Sequence, residues 1–291
     1  MAAGGRRVRV CVLTSVHPPL DTRVFHRQAK SMAAEGFDVL LVAAGAPRHP
    51  VDGVRFAQLP QTGRRLFRPL RWPVVVYRAV RAHADIYHFH DPELLPFGLL
   101  LRLVTRKAVV YDSHEYLRED ILGKHWIPAR LRRPVAFLAD RVEKWTARRL
   151  SAVVTVTEEM QSRFLPYQRR TITVKNLPPL PDLPEPLPER RPIVAYAGLI
   201  NVERGLDILY ETARLVRARV PVAEFHILGT VEWDGLPAAD KARRPADWEA
   251  MGVRFLGTRP QPEVAAFLAG ASVGWLPRSP HVANNLLAWP N

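Results

Sequence analysis

Short apolar runs rich in β-branched residues alternate along this chain with longer stretches whose apolar residues recur every three or four positions. The short runs predict strands over residues 7–16, 37–44, 54–59, 86–91, 108–115, 152–157 and 171–176. Between them the helical period predicts helices over 24–35 (stopped by Gly36), 69–83, 128–150 and 158–165, and one opened by Asp91-Pro92-Glu93. Asp91 reads as that helix's N-cap, with proline at its first position. Within 128–150, Val135, Leu138, Val142 and Trp145 recur at 3-4-3 spacing and predict a stripe facing the core. Arg141, Lys144 and Arg148 then take the outer face. Strands alternating with helices in this way predict a doubly wound, mainly parallel sheet over residues 1–176.

The pattern breaks at residues 177–192, where seven prolines make regular pairing or coiling impossible and predict a semi-rigid linker. It resumes over 193–291 with strands at 193–197, 224–228, 253–256 and 273–276 and helices at 205–220 and 262–271. Leu206, Leu209, Ala213 and Val216 fall on the core face of the first of these helices. Four strands are few for a domain opposite a seven-strand partner, so the second domain reads as incomplete. The fold class is α/β: two Rossmann-like domains, the second partial.

Composition narrows the classes. With 291 residues, 47% of them hydrophobic, the chain has the length and apolar content for two cores. The apolar run 94–104 contains Pro96 and Arg102 and falls short of the ~18 residues of a membrane span. Arg9 interrupts the one N-terminal stretch resembling a signal peptide. Cys11 is the only cysteine, which excludes an intrachain disulfide and predicts a buried strand thiol in a cytoplasmic protein. The net charge of +14 implies an anionic partner, whether phosphorylated substrate, membrane surface or nucleic acid. No nucleic-acid reading motif accompanies it, so none is expected as partner. Arg64, Arg65, Arg68, Arg71, Arg78 and Arg81, interleaved with Leu66, Phe67, Trp72 and Tyr77, make 64–81 the candidate patch for an anionic membrane surface.

Ligands in such sheets bind beyond the carboxyl ends of the strands, and the polar residues gather there. His17, Asp21 and Arg23 follow the first strand, His88, His90 and Asp91 end the fourth, and Asp112-Ser113-His114-Glu115 ends the fifth. His88 and His90 share one strand face, but no third ligand stands at metal-site spacing, which favours packed histidines. Ser113 lacks the glycines of a nucleophile elbow. His114, with carboxylates on both sides, reads either as an oriented substrate-binding imidazole or as a local structural one. In the second half, a strand ending at Gly198, a polar loop, and Arg204-Gly205 before a helix form either an ordinary turn or an anion pocket. In the pocket reading, backbone N–H groups, the helix dipole and a guanidinium meet at one spot.

Together, phrases such as Val110-Tyr-Asp-Ser-His-Glu115 and His88-Phe-His-Asp-Pro-Glu93, with the Gly198–Arg204 loop, resemble GT-B fold glycosyltransferases. The similarity is to family 4 of retaining nucleotide-sugar enzymes and covers the whole chain. The resemblance implies an N-terminal acceptor domain facing a C-terminal nucleotide-sugar domain, with no metal or other cofactor required. It places Gly198 and Arg204 at the donor diphosphate, Gly229, Gly257, Thr258 and Arg259 at the nucleoside pocket, and His114 at the transferring sugar. His17, Asp21, Arg23 and Glu115 fall on the acceptor side. The family often carries an arginine where this chain has Leu199, which leaves more charge compensation to Arg204. The family's paired glutamates are absent from 278–291, where His281 and Asn284 are the nearest polar candidates; the chain reads as C-terminally truncated. The implied activity is sugar transfer to a lipid-linked or polysaccharide acceptor at the inner membrane face. A nucleotide-sugar epimerase of the same fold and a non-catalytic binding fragment are the alternatives.

Overall fold

The computed structural model describes residues 6–60, 72–124, 127–177, 185–186, 188–243 and 245–277. The chain divides into two compact units, with the break after Leu177.

The strands of the first unit are β1 (Arg9–Leu13), β2 (Asp38–Ala44), β3 (Arg55–Leu59), β4 (Ile86–Phe89), β5 (Ala108–Ser113), β6 (Ala152–Thr155) and β7 (Thr171–Thr173). They form one parallel sheet in the order β3-β2-β1-β4-β5-β6-β7. Strand β1 is apolar because both its faces are covered. Cys11 and Leu13 join Tyr87, Phe89 and Tyr111 in one core, while Val10 and Val12 join Val24, Phe25 and Leu41 in the other. Burial pushes the Cys11 thiol pKa up to about 12, so it is an inert core group. Strand order reverses between β1 and β4, which opens the crevice where doubly wound sheets bind ligands.

The connecting segments are a π-wound Thr22–Ala29 running into α1 (Lys30–Ala34), then α2 (Trp72–Arg81), α3 (Leu95–Thr105), α4 (Leu117–Gly123), α5 (Ala129–Ala147) and α6 (Glu158–Phe164). Helix α4 was not expected from the pattern; it is two turns long, too short to display a period. A larger correction concerns α5. Val135, Leu138, Val142 and Trp145 do not face the core: Leu138 is 63% and Trp145 53% exposed. The buried side is instead Ala136, Glu143, Thr146 and Ala147. Glu143 accepts from Tyr111 Oη of β5 at 2.9 Å and from Arg163 Nη2 of α6 at 2.6 Å. Small residues and this buried polar strut hold α5 to the sheet, so its large apolar residues are left outward.

The second unit comprises β8 (Arg191–Ala197), α7 (Leu206–Arg219), β9 (Glu224–Leu228), α8 (Ala238–Lys241), α9 (Pro245–Ala250), β10 (Val253–Gly257), α10 (Gln261–Ala269) and β11 (Ala271–Gly274). Its four strands are parallel in the order β10-β9-β8-β11. Strand β8 begins at Arg191, inside the stretch expected to be linker. Leu206, Leu209 and Ala213 of α7 pack on Phe225 and Ile227, with Val216 at the edge of the cluster.

Candidate active site

In the first unit the parallel register builds the site. Strand β4 pairs with β5 so that Phe89 lies beside Tyr111, which brings His90 level with Asp112 one residue on. The two strands alternate: Tyr87, Phe89 and Tyr111 enter the core, while His88, His90 and Asp112 share the other face. Asp112 is fully buried and accepts from Arg23 Nη2 at 2.8 and 3.0 Å, Arg23 Nε at 3.3 Å and Gln28 Nε2 at 2.6 Å. Around it, His88 Nε2 stands 3.6 Å, His90 Nδ1 3.9 Å and His114 Nδ1 3.4 Å from a carboxylate oxygen. Burial works to raise the Asp112 pKa, but these imidazoles and Arg23 outweigh it and hold the carboxyl well below its usual range. His90 goes the other way: complete burial depresses its pKa well below the ordinary histidine value and keeps it neutral.

A third potential metal-ligand group is therefore present, contrary to expectation from spacing. One ligand atom each from His88, His90 and Asp112 lie within 4.8 Å of one another. Both Asp112 oxygens already accept hydrogen bonds, however, and a cation there would meet the Arg23 guanidinium.

His17 sits above this cluster. Its ring lies 5.2 Å from that of His114, between Asp21 (3.6 Å from Nδ1) and Asp91 (3.4 Å from Nε2). Asp21 and then Asp91 raise its pKa above the ordinary value, against the opposing effect of burial. Burial also works to raise Asp21, but His17 and the backbone N–H groups of Val24 and Arg23 hold it below the carboxylate range. Those two N–H groups donate to Asp21 at 2.9 and 2.8 Å, so Asp21 is the cap of the π-wound helix. Asp91 was expected to cap the helix it precedes. Its side chain makes no such bond and instead accepts from Ser15 N at 2.6 Å and Thr14 Oγ1 at 2.9 Å, fastening the loop after β1.

A cavity of about 440 Å³ opens beside these residues. His17, Asp91, Glu93, His114 and Glu115 line its polar part, and Leu95, Leu117, Ile121, Ile127, Val135 and Val142 its apolar wall. It therefore brings together His17, His114 and Glu115. Arg23, predicted to touch acceptor, does not reach it. The residue is 7% exposed and its Nε and Nη2 are bonded to Asp112, so it supports the site from below.

In the second unit three strand ends lie side by side. Gly198 N donates to Leu228 O and Gly229 N to Gly257 O, each at 2.8 Å. A Cβ on Gly229 would lie 2.0 Å from Gly198 O, so only glycine permits this approach. Asn201 opens the turn Val202–Arg204, accepting from Arg204 N, and Arg204 Nη1 donates to Leu199 O at 3.1 Å. The guanidinium is thus folded back over the loop at the N-terminus of α7. Gly205 is left-handed (φ 80°), and a Cβ there would press Pro277. Thr258 and Arg259 are exposed just past β10. His281 and Asn284 lie outside the described residues, as does 64–71 of the basic patch; in its remainder Tyr77, Arg78 and Arg81 are exposed while Trp72 packs on Phe97.

Sequence reasoning missed Gln28, Thr14 and Ser15, whose parts depend on register between distant strands. It also missed a second cavity of about 430 Å³ bounded by Trp233, Trp248, Phe255 and Arg243, for which clustered tryptophans in 233–248 were the available signal.

The family described as a glycosyl transferase 4-like domain matches residues 22–178. No curated protein matches the sequence. Among solved structures the chain is similar to HepE of Anabaena in complex with UDP and glucose, at 15% identity and a TM-score of 0.61, over 92% of this chain and 73% of that one. It is similar to the sucrose-phosphate synthase of Thermosynechococcus elongatus at 16% identity and a TM-score of 0.61, over 94% and 77%. WaaG, a glycosyltransferase involved in lipopolysaccharide biosynthesis, matches at 14% identity and a TM-score of 0.58, over 96% and 77%. At these identities the likeness is one of fold.

Proposed function

That the chain belongs to the glycosyl transferase 4-like family, and is a glycosyltransferase of GT-B fold, is the premise from which we propose that it moves a sugar from a nucleotide-sugar donor to a lipid-linked or saccharide acceptor. The observation that carries the donor assignment is the loop of the second unit. Gly198, Gly229 and Gly257 end adjacent strands, and Arg204 lies at the N-terminus of α7. The Gly198 and Gly229 N–H groups are spent on Leu228 and Gly257, which leaves the α7 dipole and the Arg204 guanidinium as the groups that suit a diphosphate. HepE's complexes with UDP and UDP-glucose support the same class of donor.

In this reading the second unit holds the diphosphate and the first holds the acceptor in its cavity. Cleavage of the glycosyl–phosphate bond builds negative charge on the departing diphosphate. Arg204 and the α7 dipole are placed before the reaction and stabilise that charge as it develops. Thr258 and Arg259 contact the nucleoside side. His114 holds a hydroxyl of the transferring sugar, and Asp112 fixes its ring. His17 and Glu115 receive the acceptor's hydroxyl end, with Asp21 favouring the protonated form of His17. Transfer proceeds with retention, the leaving phosphate taking the acceptor's proton, and requires no metal. No described helix is long and apolar enough to cross a membrane, and we place the protein at the cytoplasmic membrane face.

The test is to incubate the chain with labelled nucleotide-sugars and amphiphilic or saccharide acceptors, with and without a chelator. Acceptor-dependent transfer with retained anomeric configuration, unaffected by chelation, is the expected result. Conversion of the nucleotide-sugar to its epimer without acceptor would overturn it. Donor binding without turnover on any acceptor would instead fit a binding fragment.

A further inference from the structure

The cavity of about 430 Å³ in the second unit plays no part in the donor reading. None of the described donor residues, Gly198, Arg204, Gly229, Gly257, Thr258 and Arg259, lines it. Parallel pairing of β9 with β10 brings Trp233, in the loop after β9, to 5.2 Å from Phe255 between ring centroids. Trp248 of α9 stands 6.0 Å from the Trp233 ring and 5.6 Å from that of Phe255. All three pairs meet close to edge-on, at 67° to 71°. Trp248 is buried, whereas Trp233 is 43% exposed and is pinned against the other two rings. Its exposed part is an apolar platform fixed in place before a ligand arrives.

The charged groups of the lining say what the platform is for. Arg243 Nε donates to Asp240 at 2.8 Å, and the guanidinium lies on the Tyr210 ring at 3.4 Å. Its two Nη groups make no hydrogen bond among the described residues. Asp234 and Lys241 also line the cavity, and among the described residues neither has a hydrogen bond or ion pair. Two carboxylates and two cations leave the lining without net charge. A phosphorylated ligand would be set against Asp234 and Asp240, and a cationic one against Lys241 and Arg243. A wholly apolar ligand would desolvate these groups without partnering them. What fits is a neutral molecule with an apolar face and a rim of hydroxyls. A pyranose has that chemistry: its C–H face lies on an indole while its hydroxyls bond to carboxylate, ammonium and guanidinium. The volume falls within the ~300–1,000 Å³ of small-molecule sites.

We propose that this cavity binds a neutral saccharide at a site separate from the donor loops. Trp233 is the platform, and Asp234 accepts from the sugar's hydroxyls. Lys241 and the Nη groups of Arg243 donate to them, with Asp240 and Tyr210 holding the guanidinium in position. The saccharide held here is not the one being transferred, because the groups that suit a diphosphate lie outside the lining. The proposal rests on the cavity's own residues and is independent of the transfer chemistry.

Titration of the 291-residue chain with maltotriose, mannotriose and chitotriose, followed by NMR of isotope-labelled indoles, tests it. The chain has seven tryptophans, and Trp233→Phe identifies the Trp233 signal by removing it. At least one of these neutral trisaccharides should move that signal with a Kd of about 1 mM or tighter. Trigalacturonate, the glucosamine trimer and UDP should leave it in place. Trp233→Ala should weaken saccharide binding about tenfold or more, and Asp234→Ala about fivefold. Both side chains are exposed, so circular dichroism and UDP affinity should be unchanged in these variants. No response to any neutral trisaccharide up to about 10 mM overturns the proposal, as does saccharide binding that survives Trp233→Ala undiminished. A Trp233 signal moved by UDP overturns it in favour of a nucleoside pocket. A stronger response to either charged trimer overturns it in favour of a charged ligand.

Discussion

Replacing Asp112 by asparagine keeps the side chain's shape and removes its charge from beneath three imidazoles and a guanidinium. Asp112 is fully buried and Arg23 is 7% exposed, so water cannot take over the lost interaction. The pair is joined through Arg23 Nη2 to both carboxylate oxygens and through Nε to one. Leaving one member of a buried ion pair uncompensated costs about 3–5 kcal/mol. That is a large part of the roughly 5–15 kcal/mol that holds a domain folded, and it lowers the first unit's Tm by roughly 6–20 °C. Hydrogen exchange in peptides spanning β4 and β5 reads this loss without interference from the second unit. The pH dependence carries a sign. Because the folded carboxyl titrates below its usual range, its contribution is complete above the unfolded value of ~3.9 and is lost as pH falls through the depressed one. The asparagine variant should lack that part of the acid limb. Joint replacement, Arg23→Met with Asp112→Leu, should recover most of the stability because no charge is left stranded. A single-variant loss under about 1 kcal/mol, or a double variant no better than the single one, would refute the assignment of Asp112 as the unit's buried charge anchor.

Arg204→Ala should cut kcat/KM for the donor by about 10²–10³ while leaving exchange in α7 unchanged; a loss smaller than tenfold would remove Arg204 from the diphosphate. Gly229→Ala places a Cβ 2.0 Å from Gly198 O and should destabilise the second unit by about 2 kcal/mol or more, read by denaturant unfolding; unchanged stability would contradict the close approach of the two loops. The His17 imidazole should titrate above ~6.5 by NMR and fall back in Asp21→Asn. Its contribution to stability is complete below the unfolded value and is lost as pH rises through the raised folded one; a His17 titrating at or below ~6.5 would show the Asp21 contact to be absent in solution.

Strand positions were legible because burial on both faces leaves an unmistakable apolar run, as in β1, β2 and β9. The gathering of His17, His114 and Glu115 at strand ends followed from the architecture. What failed was inference from a single helix's periodicity. In α5 the 3-4-3 stripe is real but faces outward, since alanines and the Glu143–Tyr111–Arg163 strut occupy the sheet side. Period alone gives a stripe, not its direction. Asp91 misled for a related reason: Asp-Pro-Glu is a sound helix opening, yet Thr14 and Ser15 in the loop after β1 outcompete the cap. Asp112 was visible in its tetrapeptide, but its partners Arg23 and Gln28 lie some eighty residues away, and no local pattern announces them.

The alternation of β4 and β5 constrains how this protein can change over time. Because Tyr87, Phe89 and Tyr111 face the core and His88, His90 and Asp112 the site, inserting or deleting one residue in either strand would invert both faces together. Imidazoles would enter the apolar core and aromatic rings would fill the crevice. Variation within these strands is therefore confined to point replacements on one face at a time. Changes in length, and any new substrate preference that depends on them, have room only in the loops that follow, such as the one after β5 that carries His114 and Glu115.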